Sequence, residues 1–491
     1  MATRWSELVF SEDAAPAVLS RAVQRGRLRR LGSGVYTSLV DRDPEQVVRE
    51  QLWNILDHQL PGAVLVDRTA LRPDASAGLV LVDHPRARAL ELPGVTVLPR
   101  PGAGAASGDL PFLQTSLFLS STARQLLDNL HRSRSSSRRT LTDDEVEDWI
   151  DKLVATRREA GIYRLRDEAR ALAPQLNRTR AMQRLDALLS AALSTGDVKA
   201  AKSARLASRA AGRPVDGQRL DAFERLAQEL DDTAPDVTPD LPEDRHRRAL
   251  LPFYEAYFSN FIEGTEFTLD EAAEIVFGGE IPTDRPADAH DVLGTYEIVA
   301  DASEMAQVPR DADDFEQLLC DRHARVLSQR PEKRPGEYKS RANRAGNTHF
   351  VEPELVQGTL RAGFEIGIRL TGPFERAVYQ MFVISEVHPF ADGNGRVARI
   401  MMNAELVTAG EVRLIIPIVY RANYLAALRG ASHTGHYPAL VKTLSFARKY
   451  TAQVDFSSRD AAEDVLTRTH ALRDAQEADD AGLRLLLPSR I

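Results

Sequence analysis

A chain of 491 residues with 27% charged and 43% hydrophobic residues has room for about three domains. Its balance is that of a globular protein, which excludes a wholly disordered chain, a collagen and a coiled-coil rod, and its one cysteine, Cys320, excludes a disulfide framework and a Cys-rich zinc site. The net charge of −8 excludes a generally cationic nucleic-acid coat, yet residues 1–140 hold 18 Arg and no Lys against 14 acidic residues, which is +4 and leaves −12 for the remainder.

In chain order, residues 12–26 predict a helix: Ala14, Ala17, Val18 and Ala22 fall on one side and Gly26 fits the stop position. Residues 27–37 alternate into a turn and a short strand, with glycines at the bend. Residues 44–60 predict a second amphipathic helix, and 64–66, 78–83 and 95–98 predict strands. Residues 101–108 are a Gly/Ala/Pro loop. Residues 131–140, rich in Ser and Arg with no apolar residue, predict a linker. Thr142 with Glu145 forms a capping box and opens a helical stretch that Gly212-Arg213-Pro214 breaks. Residues 231–244, acidic and Pro-containing, predict a second linker. From 245 to 455 the pattern is mostly helical, and the tail predicts one helix over 460–475 with an apolar end over 483–487.

The expected division is a small α/β domain over 1–130, a helical connector over 131–240, a helical domain over 241–455 and a helical tail over 456–491. The first residues have no long apolar stretch behind them and predict no signal peptide. The longest apolar runs are about seven residues, as at 414–420, against roughly 20 for a bilayer span. A cytoplasmic protein without a membrane partner is expected. Only 7 of the 63 basic residues are Lys, which with the alanine richness suggests a GC-rich, bacterial genome.

The stretch that carries chemistry is His388-Pro389-Phe390-Ala391-Asp392-Gly393-Asn394-Gly395-Arg396-Val397-Ala398-Arg399, between two apolar helical stretches. Gly393 and Gly395 let backbone N–H groups gather at a helix start, which is a phosphate cradle. Arg396 and Arg399, three apart, share a face and offer two guanidinium forks to phosphate oxygens. Asp392 suits Mg²⁺ already held by phosphates, and His388 is the nearby group able to take a proton at neutral pH. These are the parts for transfer from a nucleotide to a hydroxyl.

The stretch resembles the Fic (filamentation induced by cAMP) domain signature, His-Pro-Phe-x-(Asp/Glu)-Gly-Asn-Gly-Arg-x-x-Arg, at every fixed position. The resemblance implies a mainly α protein with an all-helical Fic domain and a β-hairpin flap. It implies an adenylyltransferase that moves AMP from ATP to a hydroxyl of a target protein, a Ser, Thr or Tyr, releasing pyrophosphate. His388 would deprotonate the hydroxyl, Asp392 would hold Mg²⁺, and Phe390 would anchor the loop in the core. Gly393, Asn394 and Gly395 would contact the phosphates and Arg396 and Arg399 would hold the β and γ groups. Relatives that transfer phosphate have Lys at the second glycine; Gly395 favours AMP transfer.

Upstream, Ser259-Asn260-Phe261-Ile262-Glu263-Gly264 fits the family's inhibitory motif. An acid near a helix C-terminus runs against the dipole, so Glu263 wants a cationic partner, and Gly264 is a natural helix terminator. The resemblance names the partner as Arg399, with Ser259, Glu263 and Gly264 as the inhibitory set. Residues 334–350 resemble the region leading into the flap, which docks the target by adding a strand. Asn343, Arg344, Ala345 and Gly346 are the flap candidates, although many relatives are apolar here, and Gly346-Asn347 is a good turn. Arg421-Ala422-Asn423-Tyr424 fits the helix that lines the adenine pocket, with Asn423 and Tyr424 as the contacts. His433 and His436 are expected to be loop residues, not metal ligands.

Residues 19–36 resemble the helix-turn-wing of the AbiEi-type antitoxin N-terminal domain, and the likeness extends weakly through 66–71. It implies a winged helix, with Arg25, Arg27, Arg29 and Arg30 contacting DNA; protein docking is the rival. The sequence thus predicts an autoinhibited AMP transferase that uses ATP and Mg²⁺, joined to a DNA-binding or docking domain. The alternatives are AMP removal from a modified protein and a nucleotide-sensing DNA-binding regulator. A second copy of the chain, as a homodimer, is a candidate partner.

Overall fold

The computed structural model describes residues 5–74, 78–86, 88–102, 104–132, 139–233 and 237–490. Most of the expected linker 131–140, the stretch 234–236 of the second, and residue 103 of the 101–108 loop lie outside the described residues. The chain divides into two compact units, Met1–Gly212 and Arg213–Ile491. The expected connector is therefore shared between them: its last helix packs into the core of the second unit through Leu220, Phe223 and Leu226.

The first unit begins with β1 (Leu8–Phe10), α1 (Pro16–Gln24), β2 (Arg29–Gly32) and β3 (Val35–Thr37). The strands pair antiparallel in the order β1-β3-β2. Pro16 opens α1 where its missing N–H costs nothing. Gly26, at φ 66°, follows its end. The buried face is Leu19 and Ala22, joined by Val9 and Leu28. Val18, counted on that face from sequence, is 38% exposed. A face read from alanines shifts when the neighbouring leucine has more area to bury. One helix precedes the β2–β3 hairpin within residues 5–37. Arg25, Arg27 and Arg30 are exposed, whereas Arg29 is partly buried and donates to the Arg42 carbonyl at 2.9 Å.

Asp43 caps α2 (Pro44–Gln59), which lays Val48, Leu52 and Ile55 in a core shared with a six-stranded mixed sheet. The sheet contains β4 (Val64–Leu65), β5 (Leu79–Asp83), β6 (Leu90–Leu92), β7 (Val95–Arg100), β8 (Leu110–Pro111) and β9 (Phe118–Leu119), in the order β6-β7-β5-β4-β9-β8. Between β4 and β5 lies the short α3 (Asp67–Leu71). A separate helical core joins α4 (Thr122–Leu130), α5 (Asp143–Leu172), α6 (Thr179–Ala192) and α7 (Ala204–Ala210). Thr142 and Glu145 form the capping box at the head of α5.

Four aspartates and four arginines tie the sheet of this unit to its helices. Arg124, with no exposed surface, meets Asp83 and Asp109 at 2.6 Å each and Asp128 at 3.7 Å. Arg100 reaches Asp67 at 2.6 Å and Asp128 at 2.8 Å, Arg178 reaches Asp128 at 3.1 Å, and Arg139 reaches Asp67 at 3.1 Å. Such a group is stable as a balanced set, since each charge compensates the burial of another. Arg124→Leu removes one cation and strands Asp83 and Asp109. It should cost about 3–5 kcal/mol of this unit's stability, the price of breaking a buried pair, read as a lowered first calorimetric transition of the full chain. An unchanged transition would contradict the assignment of this cluster to the core.

The second unit contains α8 (Gly217–Asp231), α9 (Leu251–Ile262), α10 (Pro286–Ala300), α11 (Ala312–Val326), the hairpin β10 (Arg344–Ala345) and β11 (Thr348–His349), α12 (Val356–Gly367), α13 (Pro373–Val387), α14 (Asn394–Thr408), α15 (Arg421–Thr434), α16 (Tyr437–Gln453), α17 (Arg459–Arg468) and α18 (Ala475–Asp480). Together with the β-sheets of the first unit, the fold is mainly α. α13 and α14 are buried on nearly every face, which places them at the centre of the bundle. The expected tail helix over 460–475 is two helices: His470 adopts φ 64°, and Asp474 caps a new start. No helix among the described residues is long and apolar enough to cross a membrane.

Candidate active site

The 388–399 loop joins α13 to α14 at the bundle's centre. His388 terminates α13 with φ 51° and ψ 59°, a left-handed conformation that few non-glycine residues hold. Its Nδ1 lies 3.3 Å from the Ser385 carbonyl. With Nδ1–H donating there, Nε2 keeps its lone pair. The ring stacks on Phe350 at 3.8 Å. Burial, with a smaller push from Lys339, takes its pKa down to about 4, so the imidazole is neutral at pH 7. Phe390 is fully buried. Asn394 Oδ1 accepts from the Phe390 N–H at 2.8 Å and its Nδ2 donates to the Phe390 carbonyl at 2.9 Å. The Asn394 amide therefore braces the loop and is already occupied, where the sequence reading gave it to a phosphate.

Glu263 stands one residue past the end of α9. Its Oε1 lies 2.7 Å from Arg399 Nη2. Arg399 also donates from Nε to Ser259 Oγ at 3.0 Å and from Nη2 to the Ser259 carbonyl at 2.8 Å. Burial opposes the charge of Arg399, but Glu263 and Tyr424 outweigh it and its pKa stands above the ordinary value. Gly395 faces the same carboxylate: a Cβ there would sit 2.2 Å from Glu263 Oε1, so only glycine lets Glu263 approach. Arg396 turns inward. Its Nη1 lies 2.5 Å from Asp291 Oδ2 of α10 and 3.4 Å from Asn260 Oδ1. The structure thus separates the two arginines that sequence placed on one face, because a buried aspartate claims the first. Gly264, at φ 90°, turns the chain away from α9.

A cavity of about 620 Å³ brings together Glu263, His388, Gly395, Arg399 and Tyr424, with Ala345 and Gly346 of the hairpin at its edge. The hairpin turns on Gly346-Asn347, with Ala345 paired to Thr348. Asn343 is outside the cavity. Its Nδ2 donates to the Phe390 carbonyl at 2.9 Å and its Oδ1 accepts from Lys339 Nζ at 2.7 Å, so it anchors the hairpin to the loop and is not free for a target. Arg344 is exposed on the hairpin. On α15, Tyr424, Leu425, Leu428 and Ser432 face the cavity, spaced as one helical face. Asn423 lines a separate hollow with α18 residues, which corrects its expected adenine contact. His433 belongs to α15 and its Nε2 lies 2.7 Å from Thr348 Oγ1, a hairpin contact that the loop reading missed.

Asp392 is the carboxylate available to a cation. Burial would raise its pKa, but the Gly393 N–H, Arg396 and Lys333 together hold it below the ordinary value, so it is ionised. Among the described residues no cluster of three acidic, His or Cys groups forms a metal cage. One ionised oxygen donor beside a phosphate cradle fits Mg²⁺ that brings its remaining ligands from nucleotide phosphates and water.

Residues 313–406 match the profile of the Fic/DOC family. This is a Fic-domain protein, related to known Fic adenylyltransferases. It is 26% identical over 233 residues to the protein adenylyltransferase Fic of Nematostella vectensis, covering 46% of this chain and 54% of the relative. It is 25% identical over 186 residues to the protein adenylyltransferase fic-1 of Caenorhabditis elegans, covering 37% and 36%. The chain thus spans about half or less of the length of these curated relatives. Among solved structures, a Fic domain containing signaling protein from Bacteroides thetaiotaomicron aligns with a TM-score of 0.37 at 21% identity, over 50% of this chain and 97% of that one. A fragment of C. elegans Fic-1 aligns with a TM-score of 0.36 at 21% identity, over 64% and 96%.

Within the Fic domain, His323 of α11 is a supporting residue that no sequence pattern marks. Its Nδ1 accepts from the Gly336 N–H at 2.9 Å, which leaves Nε2–H to donate to the Asp392 carbonyl at 3.1 Å. Its ring stacks on Phe390 at 3.7 Å. Burial lowers its pKa from 6.5 to about 4. Between about pH 6.5 and 4 the unfolded chain therefore binds more protons at this position than the folded one. The stabilising contribution is complete above 6.5 and is lost as pH falls toward 4. Thermal midpoints measured across this range should decline less steeply for His323→Gln than for the wild type. Parallel declines would contradict a neutral buried His323.

Proposed function

We propose that the chain is a Mg²⁺-dependent AMP transferase acting on a hydroxyl side chain of a target protein, held inactive by Glu263. The observation that carries this reading is the Glu263–Arg399 contact of 2.7 Å in the cavity that also presents His388 and Gly395. The target hydroxyl loses its proton to His388 Nε2 as its oxygen attacks the α-phosphorus of ATP. The bond to the β-phosphate breaks and pyrophosphate leaves. Asp392 would hold Mg²⁺, which supplies charge neutralisation at the phosphates when bound. Arg399 would hold the terminal phosphates once free of Glu263. Tyr424, with Leu425 and Leu428, would receive the adenine. The cytoplasm is the proposed location.

The relatives are protein adenylyltransferases, which supports this chemistry. AMP removal is a second reading, favoured by the position of Glu263 inside the cavity, where its carboxylate could orient water. For the first unit we propose DNA binding or protein docking through Arg25, Arg27 and Arg30, which are exposed. The test of the main reading is a lysate incubated with Glu263→Gly, Mg²⁺ and ATP, followed by peptide mass spectrometry. AMP on a hydroxyl residue supports it; no AMP-modified peptide, the enzyme's own included, contradicts it.

A further inference from the structure

The β10–β11 hairpin is a two-stranded sheet, so each strand has an outer edge. Arg344 pairs with His349 and Ala345 with Thr348. The Phe350 N–H donates to the Asn343 carbonyl at 3.3 Å. In an antiparallel ladder the next pair, Arg344 and His349, then turns its N–H and C=O groups to the outer edges. The two edges differ. The His349 carbonyl accepts from Arg219 Nη2 at 2.6 Å, which closes the β11 edge. No described residue outside the hairpin bonds the N–H or C=O of Arg344, and the residue is exposed. An open edge of this kind is a template for another strand. It stands over the loop that carries His388, because Asn343 Nδ2 donates to the Phe390 carbonyl at 2.9 Å.

Successive side chains on a strand alternate between its faces. Asn343, Thr348 and Phe350 turn inward, to the Phe390 carbonyl, to His433 and to the His388 ring. Ala345 is the cross-strand partner of Thr348 and lines the active-site cavity, so it faces inward too. Arg344 therefore faces outward. Its guanidinium has no ion-pair partner among the described residues. Neither residues 338–351 nor α15 contains an acid. The two glutamates that line the cavity are engaged, Glu263 by Arg399 and Glu386 by Arg219. A strand laid along β10 would follow the same alternation. Its residue opposite Arg344 meets the free N–H and C=O and shares the outward face, where an opposite charge is favoured. Its residue opposite Ala345 points into the cavity that holds His388. We propose that the β10 edge takes an extended segment of the target protein in which the residue next to the modified hydroxyl is Asp or Glu, held by Arg344. This rests on the AMP-transfer reading and adds the substrate class. The acid stands directly before or directly after the hydroxyl residue, according to strand direction.

The test uses the full chain carrying Glu263→Gly, with Mg²⁺, ATP and a pooled peptide library. Each peptide has one central Ser, Thr or Tyr, with all residue types varied at the positions before and after it. AMP-modified peptides are counted by mass spectrometry. Asp and Glu should be enriched about two- to fivefold over Asn and Gln at one of the two positions, the range of a cross-strand charge pair. Adding Arg344→Glu should reverse the preference to Lys and Arg at that same position. Each preference is a ratio within one protein, so a change in overall activity or folding cancels. AMP-modified peptides without the acidic preference, or with a preference that Arg344→Glu leaves unchanged, would overturn this proposal alone. So would AMP on lysate proteins or on the enzyme itself with none on any peptide, since an extended segment would then not suffice. No AMP on peptides, lysate proteins or the enzyme would overturn the transfer reading, and this proposal with it.

Discussion

Glu263→Gly should raise AMP incorporation roughly ten- to a hundredfold over the wild type, the range of a regulatory coupling of a few kcal/mol. Arg399 now spends its guanidinium on Glu263 and Ser259. A phosphate entering the cavity must break a buried charge pair before it gains that donor fork. The Glu263 carboxylate also fills the space over Gly395, where backbone N–H groups at the start of α14 would meet a phosphate. Removing the side chain opens both at once. The substitution falls one residue past the last turn of α9 at φ −81°, a position glycine tolerates, so the melting temperature should move little. Label incorporation and differential scanning fluorimetry check the two halves. Equal incorporation by the two proteins, with equal melting, would contradict an inhibitory Glu263.

His388→Ala should lower transfer by roughly 10²–10⁴-fold, the usual worth of a positioned general base. Nucleotide affinity should stay within about threefold, because the contacts of His388 are the Ser385 carbonyl and the Phe350 ring, not the phosphate-binding groups. Titration calorimetry beside single-turnover rates separates binding from chemistry. With the His388 pKa near 4, the base is neutral throughout the physiological range. Transfer should therefore be flat in its dependence on His388 from about pH 6 to 8 and fall as pH drops toward 4. A steep rise between pH 6 and 7.5 in the Glu263→Gly protein would contradict a buried, neutral His388.

The residues legible in sequence are those whose role is local. The 388–399 signature, the capping box at Thr142 and Glu145, and the turn at Gly346-Asn347 lie within a few residues of what they shape. Glu263 is legible because residues 259–264 resemble the family's inhibitory motif, and its place at a helix C-terminus, against the dipole, is a weak second sign. What stayed hidden depends on side-chain direction in three dimensions. Asn394 and Asn343 read as ligand contacts but spend their amides bracing one loop. Arg396 read as a twin of Arg399, yet Asp291, 105 residues away, draws it inward. Asn423 and Tyr424 are adjacent in sequence, yet the turn of about 100° per residue sends them to different hollows beside α15. The Asp–Arg cluster of the first unit had no signature because its members are scattered from Asp67 to Arg178. His323 joins segments 13 and 69 residues away, distances at which periodicity carries no signal.

The most direct test of a Glu263-gated AMP transferase is one labelling experiment with two ATP preparations. Wild type, Glu263→Gly and Glu263→Gly with His388→Ala are each incubated with Mg²⁺ and ATP labelled on the α- or the γ-phosphate. Protein-bound label should appear with α-labelled ATP only, strongly in Glu263→Gly, weakly in the wild type and not in the double variant. Label from γ-labelled ATP, or α-label that is equal in all three proteins, would contradict the account.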